Sequence, residues 1–141
     1  MTDSKGKIVA IDCGTKRVGI AVSDPLQLFA QPFGTFDPES ALRALVDLNR
    51  KEHVSVFVIG WPLLPDGTKG KATDMVDRFV SRMKNRMDDI SVIKQDERFS
   101  SEMARELLSE GPKPSLGARK KGRLDTAAAG LILQDYLNTI A

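Results

Sequence analysis

The sequence predicts an α/β domain on a mixed sheet, antiparallel at one side and parallel at the other. Three observations predict it. Three short apolar runs follow one another within residues 8–36; helical and strand patterns then alternate; and Val54 to Ile59 is a continuous, β-branched-rich run that suits a central strand buried on both faces. A length of 141 residues accommodates one domain, spanning 1–141.

Ile8 to Ile11 is an apolar run closed by Asp12, and Val18 to Val22 is a second; Gly14, Thr15, Lys16 and Arg17 between them form a tight turn. Leu28 to Ala30 and Phe33 to Phe36 suggest a third strand, with Pro32 marking an edge or an irregularity. Asp37, Pro38 and Glu39 spell a helix start, an N-cap acid followed by proline at the first helical position. Leu42, Leu45, Val46 and Leu48 then share one face of a helix reaching about Glu52. After the Val54 to Ile59 strand, two prolines and two glycines within 62–71 require a loop. Met75, Val76, Phe79, Val80, Met83 and Met87 recur at helical spacing and read as core.

Ser91 to Ile93 starts a further strand that runs into Gln95, Asp96, Glu97 and Arg98. Ser100 or Ser101 caps an expected helix through Leu108, ended by Gly111 and Pro112. Three glycines and two prolines in 111–122 predict a mobile connection. The last helix is expected over about 124–137, with Asp125 in its first turn, where an anion complements the helix dipole. Helices are thus expected on both faces of the sheet, and a site at the carboxyl ends of its parallel strands, where Asp12, Gly60 and Glu97 fall.

Charge and cysteine usage narrow the function classes. The net charge of +2 is too small to announce a nucleic-acid binder by itself. Residues 111–123, however, carry five basic residues and no acid, leaving sixteen basic against nineteen acidic residues elsewhere. The single cysteine, Cys13, excludes an intrachain disulfide and fits a reducing compartment. With no apolar leader after Met1 and no membrane-length apolar stretch, a cytoplasmic protein without membrane contact is expected.

Acids stand at the ends of three elements: Asp12, the Asp96-Glu97 pair and Asp125. Magnesium takes hard oxygen ligands and is commonly bridged between carboxylates and phosphates. Two such ions about 4 Å apart can activate a water and stabilise the leaving oxygen of a phosphodiester. Taken singly, each of these acids reads first as a cap or a surface charge. Asp12 stands out, because an acid closing an apolar central strand is costly to desolvate unless a cation, a metal or Lys16, meets it. His53 has no companion histidine or cysteine pair for zinc, and Cys13 reads as a small apolar residue. Trp61 beside Pro62 is a candidate for packing or for substrate contact.

Four motifs in order, Asp12-Cys13-Gly14-Thr15-Lys16-Arg17-Val18-Gly19, Gly60-Trp61-Pro62-Leu63 with Asp66-Gly67-Thr68, Asp96-Glu97-Arg98-Phe99-Ser100-Ser101 and Asp125-Thr126-Ala127-Ala128-Ala129, resemble the signatures of the YqgF family. That family is also described as RuvX-like, as pre-16S rRNA nucleases or Holliday junction resolvases. The resemblance covers nearly the whole chain. It implies a ribonuclease H-like fold, a mixed five-stranded sheet flanked by helices, and an endonuclease using Mg2+ or Mn2+ held by catalytic Asp12, Glu97 and Asp125. It further implies processing of the 5′ end of the small-subunit rRNA precursor, with ribosomal particles as possible partners. Thr15 and Lys16 match the family's first turn and Arg98 its Asp-Glu-Arg signature, and these are expected to bind substrate; Arg119, Lys120, Lys121 and Arg123 are read as a flexible cationic arm for the phosphate backbone, or else as a solvated charge run.

Other readings stay open. The related RuvC resolvases carry two acids three residues apart on their final helix, whereas Ala128 follows Asp125 here at that distance. A four-way DNA junction is nevertheless an alternative substrate, and would require a homodimer with two sites; the sequence leaves monomer and homodimer both open. A non-catalytic nucleic-acid binder is a second alternative. Asp12-x-Gly14-Thr15 with Gly19 also resembles the first phosphate loop of actin-like and sugar kinases, but those proteins close two such domains around ATP and this chain supplies one.

Overall fold

A computed structural model describes residues 6–96 and the helical backbone of 117–140, with side chains over 6–96 and 128–140. Among these residues the order is β1 (Lys7–Cys13), β2 (Val18–Ser23), β3 (Ala30–Phe36), α1 (Pro38–Lys51), β4 (Val54–Trp61), α2 (Lys71–Arg86), β5 (Val92–Asp96) and α3 (Gly117–Ile140). The five strands form one sheet in the order β3-β2-β1-β4-β5. Pairing is antiparallel from β3 to β1 and parallel from β1 to β5. This is the mixed α/β sheet expected of a ribonuclease H-like domain.

The turn from β1 to β2 closes through Gly14, whose amide donates to the Arg17 carbonyl at 2.9 Å. At the opposite end of β2, the Asp24 carboxylate accepts from the amides of Leu26, Leu28 and Phe29 at 3.1, 2.8 and 2.7 Å, letting Gln27 adopt φ 60°. Those amides, that of Phe29 foremost, hold the Asp24 carboxyl below its ordinary value. β3 is an edge strand, and the register shift opposite Ile20 and Ala21 absorbs Pro32, which has no amide to donate.

Asp37 caps α1, accepting from the Ser40 amide, with Pro38 first in the helix. Ala41, Leu42, Leu45 and Leu48 are buried, while Val46 is only partly so. In the loop before α2, Asp66 accepts from the amide and hydroxyl of Thr68, and Gly67 supplies a φ of 88°. α2 ends at Arg86, and Met87, its C-cap, is buried in the same core as Val76, Phe79, Val80 and Met83.

Strand alternation sends two sets of residues to opposite faces. Val9, Ile11, Val18, Ile20, Phe57 and Ile59 pack beneath α1 and α2. Ile8, Ala10, Ala21, Val56 and Val58 pack beneath α3, against Ala129, Ile132, Leu133 and Leu137. Fully burying each large aliphatic side chain stabilises the fold by roughly 1.5–3 kcal/mol. Among the described residues no helix is long and apolar enough to cross a membrane.

One expectation is overturned. Residues 117–122 are not a mobile connection; they form the first turns of α3, which starts seven residues before position 124. Ala118, Arg119, Lys120 and Lys121 are good helix formers, and a single Gly122 costs only about 1 kcal/mol within a long helix. Asp125 therefore sits in the third turn of α3 and not the first, so the dipole argument for it lapses. The helix expected over 100–108 lies outside the described residues.

Candidate functional site at the carboxyl edge of the sheet

Asp12 is the penultimate residue of β1 and is half-buried. It shares the parity of Ile8 and Ala10, so it belongs to the face covered by α3. Its antiparallel partner on β2 is Gly19. On the other side, the parallel register pairs Ile11 with Ile59, so one step further brings Gly60 beside Asp12. Gly60 in turn pairs with Gln95 on β5. The row across four strands is thus Gly19, Asp12, Gly60 and Gln95. Two glycines flank the carboxylate, so no neighbouring side chain in that row covers it.

Helix α3 is fixed over the same face. The Gln95 side-chain amide donates to the Ile132 carbonyl at 2.9 Å. Position 125 falls four, seven and eight residues before Ala129, Ile132 and Leu133, which are buried against the sheet. By helical spacing its backbone position lies on the same stripe, about 10 Å along the axis from Ile132.

Thr15 and Lys16 are exposed in the β1–β2 turn that follows Asp12. Arg119, Lys120, Lys121 and Arg123 lie on the backbone of α3, so the expectation of a flexible arm is corrected to four basic positions on a helix. Glu97 and Arg98 lie outside the described residues, one and two positions beyond the end of β5. Among the described side chains no group of three histidine, cysteine or acidic residues gathers to hold a metal. The donor chemistry of Asp12, a hard carboxylate oxygen beside two residues that add no bulk, fits magnesium or manganese.

Trp61 lies on the opposite face of β4, where its ring meets Lys94 at 4.2 Å and Lys69 at 5.8 Å. Lys94 also pairs with Asp77 on α2 at 2.6 Å, so the indole works in packing β4 and β5 against α2. Sequence reasoning missed Gln95, whose long-range bond to α3 leaves no local signal. It also missed Lys71 and Arg78, which belong to a cavity of about 650 Å³ between the β1–β2 turn, α1 and α2. Both belong to a polar helix face that reads as ordinary solvation.

A family model described as "RuvX: Holliday junction resolvase" matches residues 6–139. A protein from Salinibacter ruber named "Putative pre-16S rRNA nuclease" is 47% identical over 135 residues, covering 96% of this chain and 94% of that one. A protein of the same name from Chlorobaculum tepidum is 41% identical over 138 residues, covering 98% and 97%. Among solved structures, Thermus thermophilus RuvC in complex with Holliday junction substrate aligns over 94% of this chain and 95% of that chain, at 15% identity and a TM-score of 0.48.

Proposed function

The chain belongs to the RuvX family of nucleases, and from that premise we propose that it is a divalent-metal-dependent endonuclease that processes the 5′ end of pre-16S rRNA during ribosome biogenesis in the cytoplasm. The observation that carries the reading is the position of Asp12: a half-buried carboxylate at the carboxyl end of a central strand, flanked by Gly19 and Gly60 and roofed by the helix that bears Asp125. The curated relatives' name supports the choice of RNA over a four-way DNA junction.

In this reading Asp12, Glu97 and Asp125 hold Mg2+ or Mn2+. Support for Glu97 is its place in the sequence, in the Asp96-Glu97-Arg98 motif that starts at the last residue of β5. Support for Asp125 is its place on the sheet-facing stripe of α3. The ion supplies Lewis-acid activation of water and neutralises charge on the phosphate. Thr15 and Lys16 hold the substrate backbone beside Asp12, and Arg98, Arg119, Lys120, Lys121 and Arg123 supply further cations.

The test is incubation of the purified protein with end-labelled pre-16S rRNA and with a labelled four-way DNA junction, in Mg2+, Mn2+ or EDTA. Cleavage of the RNA in either metal, its loss in EDTA, and its loss in Asp12→Asn with RNA binding retained are the expected results. Cleavage by Asp12→Asn at the wild-type rate refutes the metal site. Symmetric nicking of the junction with the RNA left intact transfers the activity to DNA, and binding without any product leaves only a nucleic-acid binder.

A further inference from the structure

The cavity of about 650 Å³ lies at the same end of the sheet as Asp12 but on its other face, between the β1–β2 turn and the N-terminal ends of α1 and α2. Its size falls within the roughly 300 to 1,000 Å³ of small-molecule sites. Buried Phe79 and half-buried Met75 and Pro38 line it, giving an apolar interior. Exposed Lys71 and Arg78 also line it. Among the described residues neither makes an ion pair, whereas Arg82 beside them is held by Glu39 at 2.8 Å. An apolar interior under a cationic rim suits a nucleotide, with its base inside and its phosphate on the two cations.

Asp12 and Cys13 are consecutive on β1, the first on the α3 face and the second lining this cavity, and Thr15 in the following turn lines it too. A polynucleotide crossing that turn can therefore touch both places. We propose that the cavity captures an unpaired nucleotide next to the cleavage site, with the base against Met75 and Phe79 and the phosphate on Lys71 and Arg78. The inference rests on the nuclease reading above and deepens it by naming a substrate feature: a single-stranded nucleotide flanking the scissile bond. A duplex keeps its bases paired inside and cannot fill the apolar interior; a single-stranded segment can.

Binding in EDTA separates this inference from the metal reading, because it needs no hydrolysis. The probes are a fluorescein-labelled RNA hairpin carrying a short single-stranded extension and the same hairpin with a blunt end, read by fluorescence anisotropy. Two variants are compared with wild type: Lys71→Ala with Arg78→Ala, which removes the cations, and Ala72→Phe, which fills the cavity from an exposed lining position without changing charge. Each is expected to weaken binding of the extended hairpin about tenfold, roughly the loss of one good contact, and to leave the blunt hairpin unchanged. Unchanged affinity for the extended hairpin overturns the proposal. So does an equal loss on both RNAs, which marks a general phosphate contact, and so does failure of the wild-type chain to bind the extended hairpin. Cleavage lost in Asp12→Asn stands on its own in every one of these cases.

Discussion

The side-chain amide of Gln95 donates a hydrogen bond to the carbonyl oxygen of Ile132 at 2.9 Å. It joins the sheet's edge strand to a helix 37 residues further along the chain, on the face that carries Asp12. Gln95→Leu is expected to cost about 1 kcal/mol of stability, the net worth of such a bond. Because it also loosens α3 over the site, cleavage should fall more steeply than the folded fraction. Urea denaturation and single-turnover cleavage on the same preparation check this.

Gly14 tolerates no side chain. A Cβ there would stand 2.7 Å from the Arg17 carbonyl oxygen, a backbone atom that cannot swing away. Gly14→Ala is therefore expected to destabilise by roughly 1–3 kcal/mol and to shift the turn carrying Thr15 and Lys16. Denaturation gives the first effect, and weaker RNA binding in EDTA gives the second.

Buried Ser23 accepts from the Ile8 amide at 2.8 Å and donates to the Asp24 carbonyl at 2.9 Å. Ser23→Ala leaves that amide without its hydroxyl acceptor, at an expected cost of about 1–3 kcal/mol. Ser23 lies at the end of β2 away from the site, so cleavage by the folded variant should match wild type. A large change in rate with little change in denaturation midpoint would contradict this.

Glu39 ties α1 to α2, accepting from Arg82 at 2.8 Å and from Arg86 at 2.7 and 3.0 Å. The hydrogen bond from Arg86 is the main influence lowering its carboxyl below the ordinary value; burial, next in size, opposes it, and the charges of Arg86, Arg82 and Arg43 add to the lowering. A carboxyl depressed by folding stabilises the native state above its unfolded value, and that contribution is lost as pH falls through the depressed one. Stability should therefore decline on acidification below the usual carboxylate range. Glu39→Gln is expected to flatten that acid limb, most visibly at low salt, and denaturation midpoints across pH read it directly.

Much of this architecture was legible because periodicity is a local signal. The Asp37-Pro38 start, the buried run of β4 and the Val76, Phe79, Val80 and Met83 stripe all appear in the structure where their spacing puts them. The start of α3 was not legible: Gly117 and Gly122 punctuate the sequence like a loop, yet the good helix formers around them carry the helix through. At the site, Asp12 was marked by an acid closing an apolar strand. The cavity was not, since it forms only when α2 and the β1–β2 turn, some sixty residues apart, are brought together. No short spacing encodes that meeting.

The placement of α3 has a consequence for synthesis. Ile8, Ala10 and Ala21 are made early, yet the residues that cover them, 129 to 137, are translated more than a hundred positions later. A nascent chain thus carries one greasy, uncovered side of the sheet until α3 leaves the exit tunnel. That interval is when the polypeptide most needs a chaperone, and a stop codon before position 129 would make it permanent.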